Sequence, residues 1–472
     1  MKFNGFVTPC LVLIWAGLFL SGCLRFQAEP AAEPAGELPA RYSMYSSQAP
    51  AGDSTGDPLW WRRFDAPELN GLVDQALGRG FSVREARARL DQARALYDTR
   101  RASLWPSLSG EAGYTVKDNH NTGTSETTSL GLAAAYEVDL WGRIAAGNEA
   151  AWLGVEARRA DLAAAAVTLA ATVAESWVDL IAVRGEIDLV QAQIQTGQAL
   201  ENLIGLRVEK SMSTALDLLQ QQKAVQRSQS TLPALKARET LLMQSLALLT
   251  GQAPGTPMPL EARAFPALPP LPDQGLPADL LAMRPDVRAA GLRLKAADWE
   301  VAASRADRLP ALSISAGLSY SGEGLSTLFD NWIANLAGNL TGPIFDAGKK
   351  KAQVAQDQAV ARERLAAYQR IVLTAIKEVE ENLINESMQG DTLDLVDREL
   401  KTSRLLLREA ERHYTRGLDS YLPVVSALVQ TQDLEISRIR GQAALIKYRI
   451  GIYRSLGGAW TRDLTLPTSE SK

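Results

Sequence analysis

The sequence is poor in the side chains that most often carry chemistry. Of 472 residues only two are cysteine, Cys10 and Cys23, and only two are histidine, His120 and His413. Both cysteines lie near the N-terminus, so the body of the chain has no disulfide, thiolate metal site or cysteine nucleophile. One histidine sits in a polar loop and the other in a charged helix, which leaves no basis for a histidine triad or metal centre within one chain. The carboxylates Glu378, Glu380 and Glu381 fall on a long amphipathic helix and read as a solvated face, not an acid–base pair. These scarcities point away from an enzyme and imply no cofactor and no metal. Lys and Arg total 50 against 54 Asp and Glu, giving a net charge of −4 without the basic footprint of a nucleic-acid binder. Aromatics make up only 6% of the chain, and no segment beyond the first 22 residues reads as apolar enough for a transmembrane helix.

The start of the chain is different in kind. Lys2 precedes the apolar run Phe6–Leu20, too short for a stable span and laid out as a secretory signal over residues 1–22. The following Leu20-Ser21-Gly22-Cys23 resembles a bacterial lipobox, which implies lipid attachment at Cys23. Leu24, in place of an aspartate, implies sorting to the outer membrane. Residues 23–59 are rich in Ala, Pro, Gly, Ser and Glu and read as an extended, lipid-anchored arm.

Two stretches sort their side chains by even and odd number. In the first, Leu108, Ala112, Tyr114 and Val116 alternate with Ser107, Ser109, Glu111 and Lys117. After a polar loop expected over Asp118–Glu126, Leu130, Leu132, Tyr136 and Val138 alternate with Ser129, Gly131, Glu137 and Asp139. The second hairpin sets Leu312, Ile314, Leu318, Trp332, Leu336 and Leu340 against Ser313, Ser315, Ser319, Asn335 and Asn339. Period-2 alternation predicts strands at about 107–117, 128–140, 311–321 and 331–342, each with one apolar and one polar face. Their length, with Trp105, Trp141 and Phe345 at one end and Tyr320, Phe329 and Trp332 at the other, fits a girdled transmembrane barrel, while a soluble antiparallel sheet with one wet face alternates the same way.

Between the hairpins the apolar residues step by three and four, as in Val167, Ala170, Ala174, Trp177 and Ile181. Long antiparallel coiled-coil helices follow at about 142–208, 216–250, 348–416 and 422–456, the longest about 100 Å at 1.5 Å per residue. The chain is duplicated: Pro310 answers Pro106 and Gly317 answers Gly113, while Gly348 answers Gly142 and Gly417 answers Ser211. The first repeat covers 60–254, a proline-rich linker 255–275, the second repeat 276–458, and a tail 459–472.

Four strands cannot close a barrel, and hydrocarbon does not tolerate an open edge, so the hairpins must join those of other copies. The small polar odd-numbered residues suit a water-filled lumen, which favours three or more copies. At this point the chain resembles the TolC family of outer-membrane efflux channels, in its lipidated OprM/NodT-like branch. The residues that carry this are Trp60-Trp61, Phe64 and Pro67–Leu69, the Ala86–Ala95 run, Tyr136–Arg143, Arg284-Pro285-Asp286-Val287-Arg288, and Gly342–Gly348. The resemblance implies a mainly α fold with a membrane β-barrel portion: a homotrimer sharing a 12-stranded barrel continued by a periplasmic helical tunnel. It implies a passive exit duct for small toxic compounds, working with a periplasmic adaptor and an inner-membrane pump of the RND type, in contact with outer-membrane lipid. A type I protein secretion channel has the same architecture, and a structural periplasmic coiled-coil lipoprotein is a further alternative.

The family's gate lies at the helical turns farthest from the barrel. By that resemblance Ser213, Thr214, Asp217, Arg416, Gly417, Asp419, Ser420 and Tyr421 form the gate and adaptor contact, with Asp217 at the family's acidic position. Pro423 and Ser426 stand where relatives often carry acids. Asp217 and Asp419 also suit plain helix caps, and the two roles are compatible. Glu111, Lys117, Glu137 and Asp139 read as lumen-side charges, either a selectivity ring or, preferably, a solvated wall.

Overall fold

The computed structural model describes residues 26–28, 39, 41–42, 59–120, 123–272 and 283–457. The signal segment, Cys23, most of the arm and the C-terminal tail lie outside these residues. After a 3-10 turn (Trp60–Phe64) come α1 (Pro67–Arg79), α2 (Phe81–Ala102), β1 (Ser107–Asn119), β2 (Gly123–Val138), α3 (Arg143–Glu209) and α4 (Ala215–Leu249). The second half has α5 (Pro285–Ala306), β3 (Ala311–Gly322), β4 (Trp332–Thr341), α6 (Lys349–Thr415) and α7 (Leu422–Leu456). The chain divides into two compact units, one of Met1–Gly36, Ala88–Arg159 and Ala289–Ile371, the other of Glu37–Arg87, Ala160–Arg288 and Val372–Lys472.

The first unit holds an antiparallel sheet in the order β1-β2-β3-β4. Every pair in its three ladders joins two even or two odd numbers: Ala112 faces Leu130, Leu132 faces Leu318, and Ala316 faces Leu336. Matching parity gathers all even side chains on one face and all odd ones on the other across four strands. The even face is an apolar band that water does not suit, with Leu108 73% and Leu336 78% exposed in the single chain.

The strand ends depart from expectation in two places. The loop expected over Asp118–Glu126 loses residues to both strands, because β1 runs on to Asn119 and β2 begins at Gly123. Thr124, Thr127 and Thr128 are polar yet β-branched, and a ladder accepts them regardless of hydropathy. At the other end β2 stops at Val138, not Leu140, since Asp139 turns its carboxylate to the N–H groups of Ile144 and Ala145 at 3.2 and 2.8 Å. Asp139 thus opens α3, as Asp346 opens α6 by accepting from Gly348 and Lys350 N–H at 2.9 and 3.0 Å. Trp141 Nε1 donates to Pro310 O at 2.8 Å, linking the β2–α3 junction to the α5–β3 junction.

The helix α3 also departs from expectation. It contains an 18-residue stretch with mean hydropathy 1.5, apolar enough to cross a membrane, although none was expected. That stretch is 72% buried inside the protein, and its alanines (Ala166, Ala170, Ala171, Ala174) raise the mean while letting neighbours approach closely. It is the centre of the second unit's core. Trp60, Trp61, Phe64, Leu69 and Val73 pack there against Val173, Trp177, Ile181, Ile446, Ile450 and Tyr453. The Trp60 ring stacks on Tyr453 at 5.5 Å.

The proline-rich linker is held to this core by its carbonyls and N–H groups. Arg184 donates to Leu260 O at 2.8 Å and pairs with Glu239. Arg449 donates to Pro269 O and pairs with Glu386, both charges nearly buried. Glu68 accepts from the N–H groups of Glu261 and Ala262 at 2.7 and 3.0 Å. Glu378, expected on a solvated face, pairs instead with buried Arg284, which also binds Asp286 and Ser455 O. Burial works to raise the Asp286 carboxyl, but the Arg284 guanidinium outweighs it and holds it below the ordinary aspartate value. The Arg-Pro-Asp motif therefore fixes the start of α5.

The common parity predicts an asymmetric response to charge. Leu132→Arg, on the even face, should destabilise the inserted protein by about 2–4 kcal/mol, whereas Ala133→Arg on the odd face should cost well under half of that. Denaturant titration in lipid vesicles measures both, and equal losses would contradict a lipid-facing even register.

Candidate functional site at the helical hairpin turns

The two hairpin turns, both in the second unit, share one backbone design. Ser211 after α3 and Gly417 after α6 take the left-handed conformation, with φ of 56° and 71°. Met212 N–H bonds to Arg207 O at 2.7 Å and Ser211 N–H to Val208 O at 2.9 Å. Leu418 N–H bonds to His413 O at 2.9 Å and Gly417 N–H to Tyr414 O at 3.0 Å. This is a Schellman ending repeated in both halves, in which a residue of positive φ closes the last carbonyls of the helix.

The helices that leave the turns begin differently. Thr214 Oγ1 accepts from Asp217 N–H at 3.2 Å, and Asp217 Oδ2 accepts from Thr214 N–H at 3.0 Å, a complete capping box. Ser213 Oγ also donates to Asp217 at 2.8 Å. In the second turn α7 starts without a side-chain cap and carries Pro423 in its first turn.

Two tyrosines join the hairpins. Ser213 Oγ and Tyr414 OH lie 2.7 Å apart. Tyr421 OH donates to Gln221 Oε1 at 2.8 Å, and Gln221 Nε2 donates to Gly197 O at 2.8 Å, with Tyr421 and Gln221 fully buried. Their rings meet at 4.9 Å, the Arg207 guanidinium sits 5.1 Å from the Tyr414 ring, and Ile204 and Val424 complete the apolar packing. Burial, with Tyr414, Glu411 and Asp217 nearby, pushes the Tyr421 phenol well above its ordinary range, so it stays a neutral donor. Burial also works to raise the Asp217 carboxyl, but hydrogen bonds from Thr214, Ser213 and the Tyr421 N–H prevail and hold it below the ordinary value. Its stabilisation is therefore complete above the unfolded value of about 3.9 and is lost only as pH falls through the lower folded value.

Of the residues expected at this site, Ser213, Thr214, Asp217 and Tyr421 come together. Arg416 and Ser420 are exposed, and Asp419 turns outward to His413 Nδ1 at 3.0 Å, so it does not reinforce Asp217. Gln221, Tyr414, Arg207 and Ile204 belong to the cluster without having been singled out as site residues. Gln221 was discoverable, being a polar residue one helical turn after Asp217 on the seam.

The lumen-side charges separate in a similar way. Arg143 Nη2 pairs with both carboxylate oxygens of Glu137 at 2.6 and 2.7 Å, and Asp139 is a helix cap. Asp139 therefore stands outside any charged ring. Glu111 and Lys117 are exposed, and neither has a side-chain partner among the described residues. Among the same residues no group of His, Cys, Asp and Glu is placed to hold a metal.

A single open sheet sorted by parity, together with a long helical hairpin in each half of the chain, defines a channel-forming envelope protein. Residues 72–252 and 276–458 match the family described as outer membrane efflux protein, and the chain belongs to that family. It is 30% identical over 434 residues to the pyoverdine export outer membrane protein OpmQ of Pseudomonas putida, covering 89% of this chain and 92% of that one. It is 29% identical to the solvent efflux pump outer membrane protein SrpC of Pseudomonas putida, covering 95% and 98%. Among solved structures, the outer-membrane channel OprN superposes with a TM-score of 0.84 at 27% identity, over 92% of this chain and 99% of that one. The fold is thus that of the TolC-type channels.

The unequal left-handed residues give a test of the turns. Ser211→Gly should tighten the first turn by about 0.5–1 kcal/mol and Gly417→Ala should loosen the second by about 1 kcal/mol. Amide exchange at Met212 and Leu418 reads each turn separately, and the two substitutions should move protection in opposite directions.

Proposed function

We propose that the chain is the outer-membrane duct of a tripartite efflux system, passively conducting small toxic compounds handed over by an inner-membrane pump through a periplasmic adaptor. The observation that carries this is the sheet: four strands with one apolar face and two edges, β1 and β4, left for other copies. Three copies give twelve strands, enough for an aqueous lumen lined by the small polar residues of the odd face. Efflux by the pyoverdine, solvent and antibiotic exporters among its relatives supports a small-molecule cargo. The sequence has no nucleotide-binding loop, so the driving energy belongs to the pump, for which the RND type is our reading. Lipid at Cys23 supplements the barrel as a membrane anchor.

The hairpin turns form the gate and adaptor contact in this reading. The hydrogen bonds through Ser213, Asp217, Tyr414, Tyr421 and Gln221 hold the hairpins together, and opening has to break some of them. Three depressed Asp217 carboxylates around a narrow axis would attract cations and repel anions.

A strain lacking this protein should become several-fold more susceptible to small toxic compounds while its secreted proteins stay unchanged; the opposite pattern would identify a protein secretion channel. In planar bilayers Asp217→Ala should raise the single-channel current and weaken divalent-cation block from the helical side. Unchanged current and block would leave Asp217 as a helix cap alone.

A further inference from the structure

On the odd face one residue departs from the small, polar rule. Ile333 is odd-numbered, 63% exposed, and the only large aliphatic side chain on the otherwise small and polar odd face of the described strands. The ladders show what stands beside it. Ile333 pairs with Ser319, Ser319 with Gly131, and Gly131 with Glu111, so the four make one row across the sheet. The next odd row toward the helices is Ser109, Ala133, Gly317 and Asn335, short and uncharged. A large aliphatic side chain on a face that is otherwise small and polar, in the same row as an unpaired charge, marks a place where function outweighs folding preference.

Glu111 is the odd-face carboxylate left uncommitted. Glu137 is held by Arg143, Asp139 caps α3, and Lys117 lies six residues along β1, opposite Ser125. Gly131 and Ser319 between Glu111 and Ile333 are too short to cover either of them. Glu111 and Ile333 belong to the two edge strands, so ring closure brings them to the seams between copies, and strand tilt sets the three Ile333 at a different height in the lumen from the three Glu111. The geometry points to a collar within the barrel lumen, of three carboxylates and three aliphatic side chains, that favours amphipathic organic cations over anions and small hydrophilic ions. This deepens the duct reading and rests on it. A carboxylate ring concentrates cations in a confined aqueous path. Apolar groups a short way along the lumen from the carboxylates add contact only for a cation that carries hydrocarbon, at about 25 cal/mol per Å² removed from water.

The test uses the full-length trimer in planar bilayers, with tetrabutylammonium and tetramethylammonium added on the side of the bilayer opposite the helical hairpins. The unaltered channel should be blocked several-fold more strongly by tetrabutylammonium than by tetramethylammonium at equal concentration. Glu111→Gln should lower the cation-to-anion permeability ratio at least twofold and weaken block by both ions. Ile333→Ser should leave the permeability ratio unchanged and weaken only the tetrabutylammonium block. Ser109→Ala, in the neighbouring row, should change neither. Equal block by the two ions in the unaltered channel overturns the collar without any variant having to fold, as does unchanged block in Glu111→Gln and Ile333→Ser. A protein that assembles yet passes no current overturns instead the duct reading on which the collar rests.

Discussion

A β-strand in hydrocarbon has no water to satisfy the N–H and C=O groups along its flanks, and each group left bare costs several kcal/mol. In this chain β2 and β3 are paired on both sides, while β1 and β4 each present one open edge. The even face of the sheet is apolar over the length of a bilayer core, so those edges cannot be left to solvent. Assembly with further copies is therefore a condition of insertion. A small odd face is in turn what allows the closed ring to hold water instead of filling with side chains.

The same constraint explains the effort spent where strands become helices. A helix that starts at the rim of a membrane has orphan N–H groups of its own, and Asp139 and Asp346 meet them in the two repeats. The duplication thus preserves devices more faithfully than residues. The Schellman endings at Ser211 and Gly417 use a strained and an unstrained residue for one bond pattern. At the start of the returning helices the equivalence ends: α4 has a full capping box and α7 has none. The lock between the hairpins is likewise lopsided, an acid on one side and two tyrosines on the other.

Much of this was legible because period and burial coincide. Alternation fixed the faces of all four strands, and the three-four steps located the long helices to within a residue or two. What escaped depended on contacts between distant parts of the chain. Nothing local marks Arg184 and Arg449 as partners of linker carbonyls, or Glu378 as the partner of Arg284 some ninety residues earlier. Asp139 obeys the strand parity and so looked like a wall charge, but its carboxylate is two residues from Trp141 and belongs to the next helix. Thr124 to Glu126 falls in the expected loop because polarity marks a break in sequence, although β-branched residues extend a ladder outside the lipid as readily as inside it. The buried stretch of α3 shows the converse, since composition alone cannot separate an alanine-rich core from a membrane span.

The shared barrel depends on the parity of the sheet. The body of the chain is free of cysteine, so single cysteines can be placed in turn from Leu130 to Tyr136 and from Leu312 to Leu318, spin-labelled, and the protein reconstituted in bilayers. Collision with oxygen, which partitions into lipid, and with a water-soluble nickel chelate should both oscillate with a period of two residues and in opposite phase, even positions favouring oxygen in both strands. A common phase for the two probes, or no oscillation, would contradict a lipid-facing even register and with it the shared barrel.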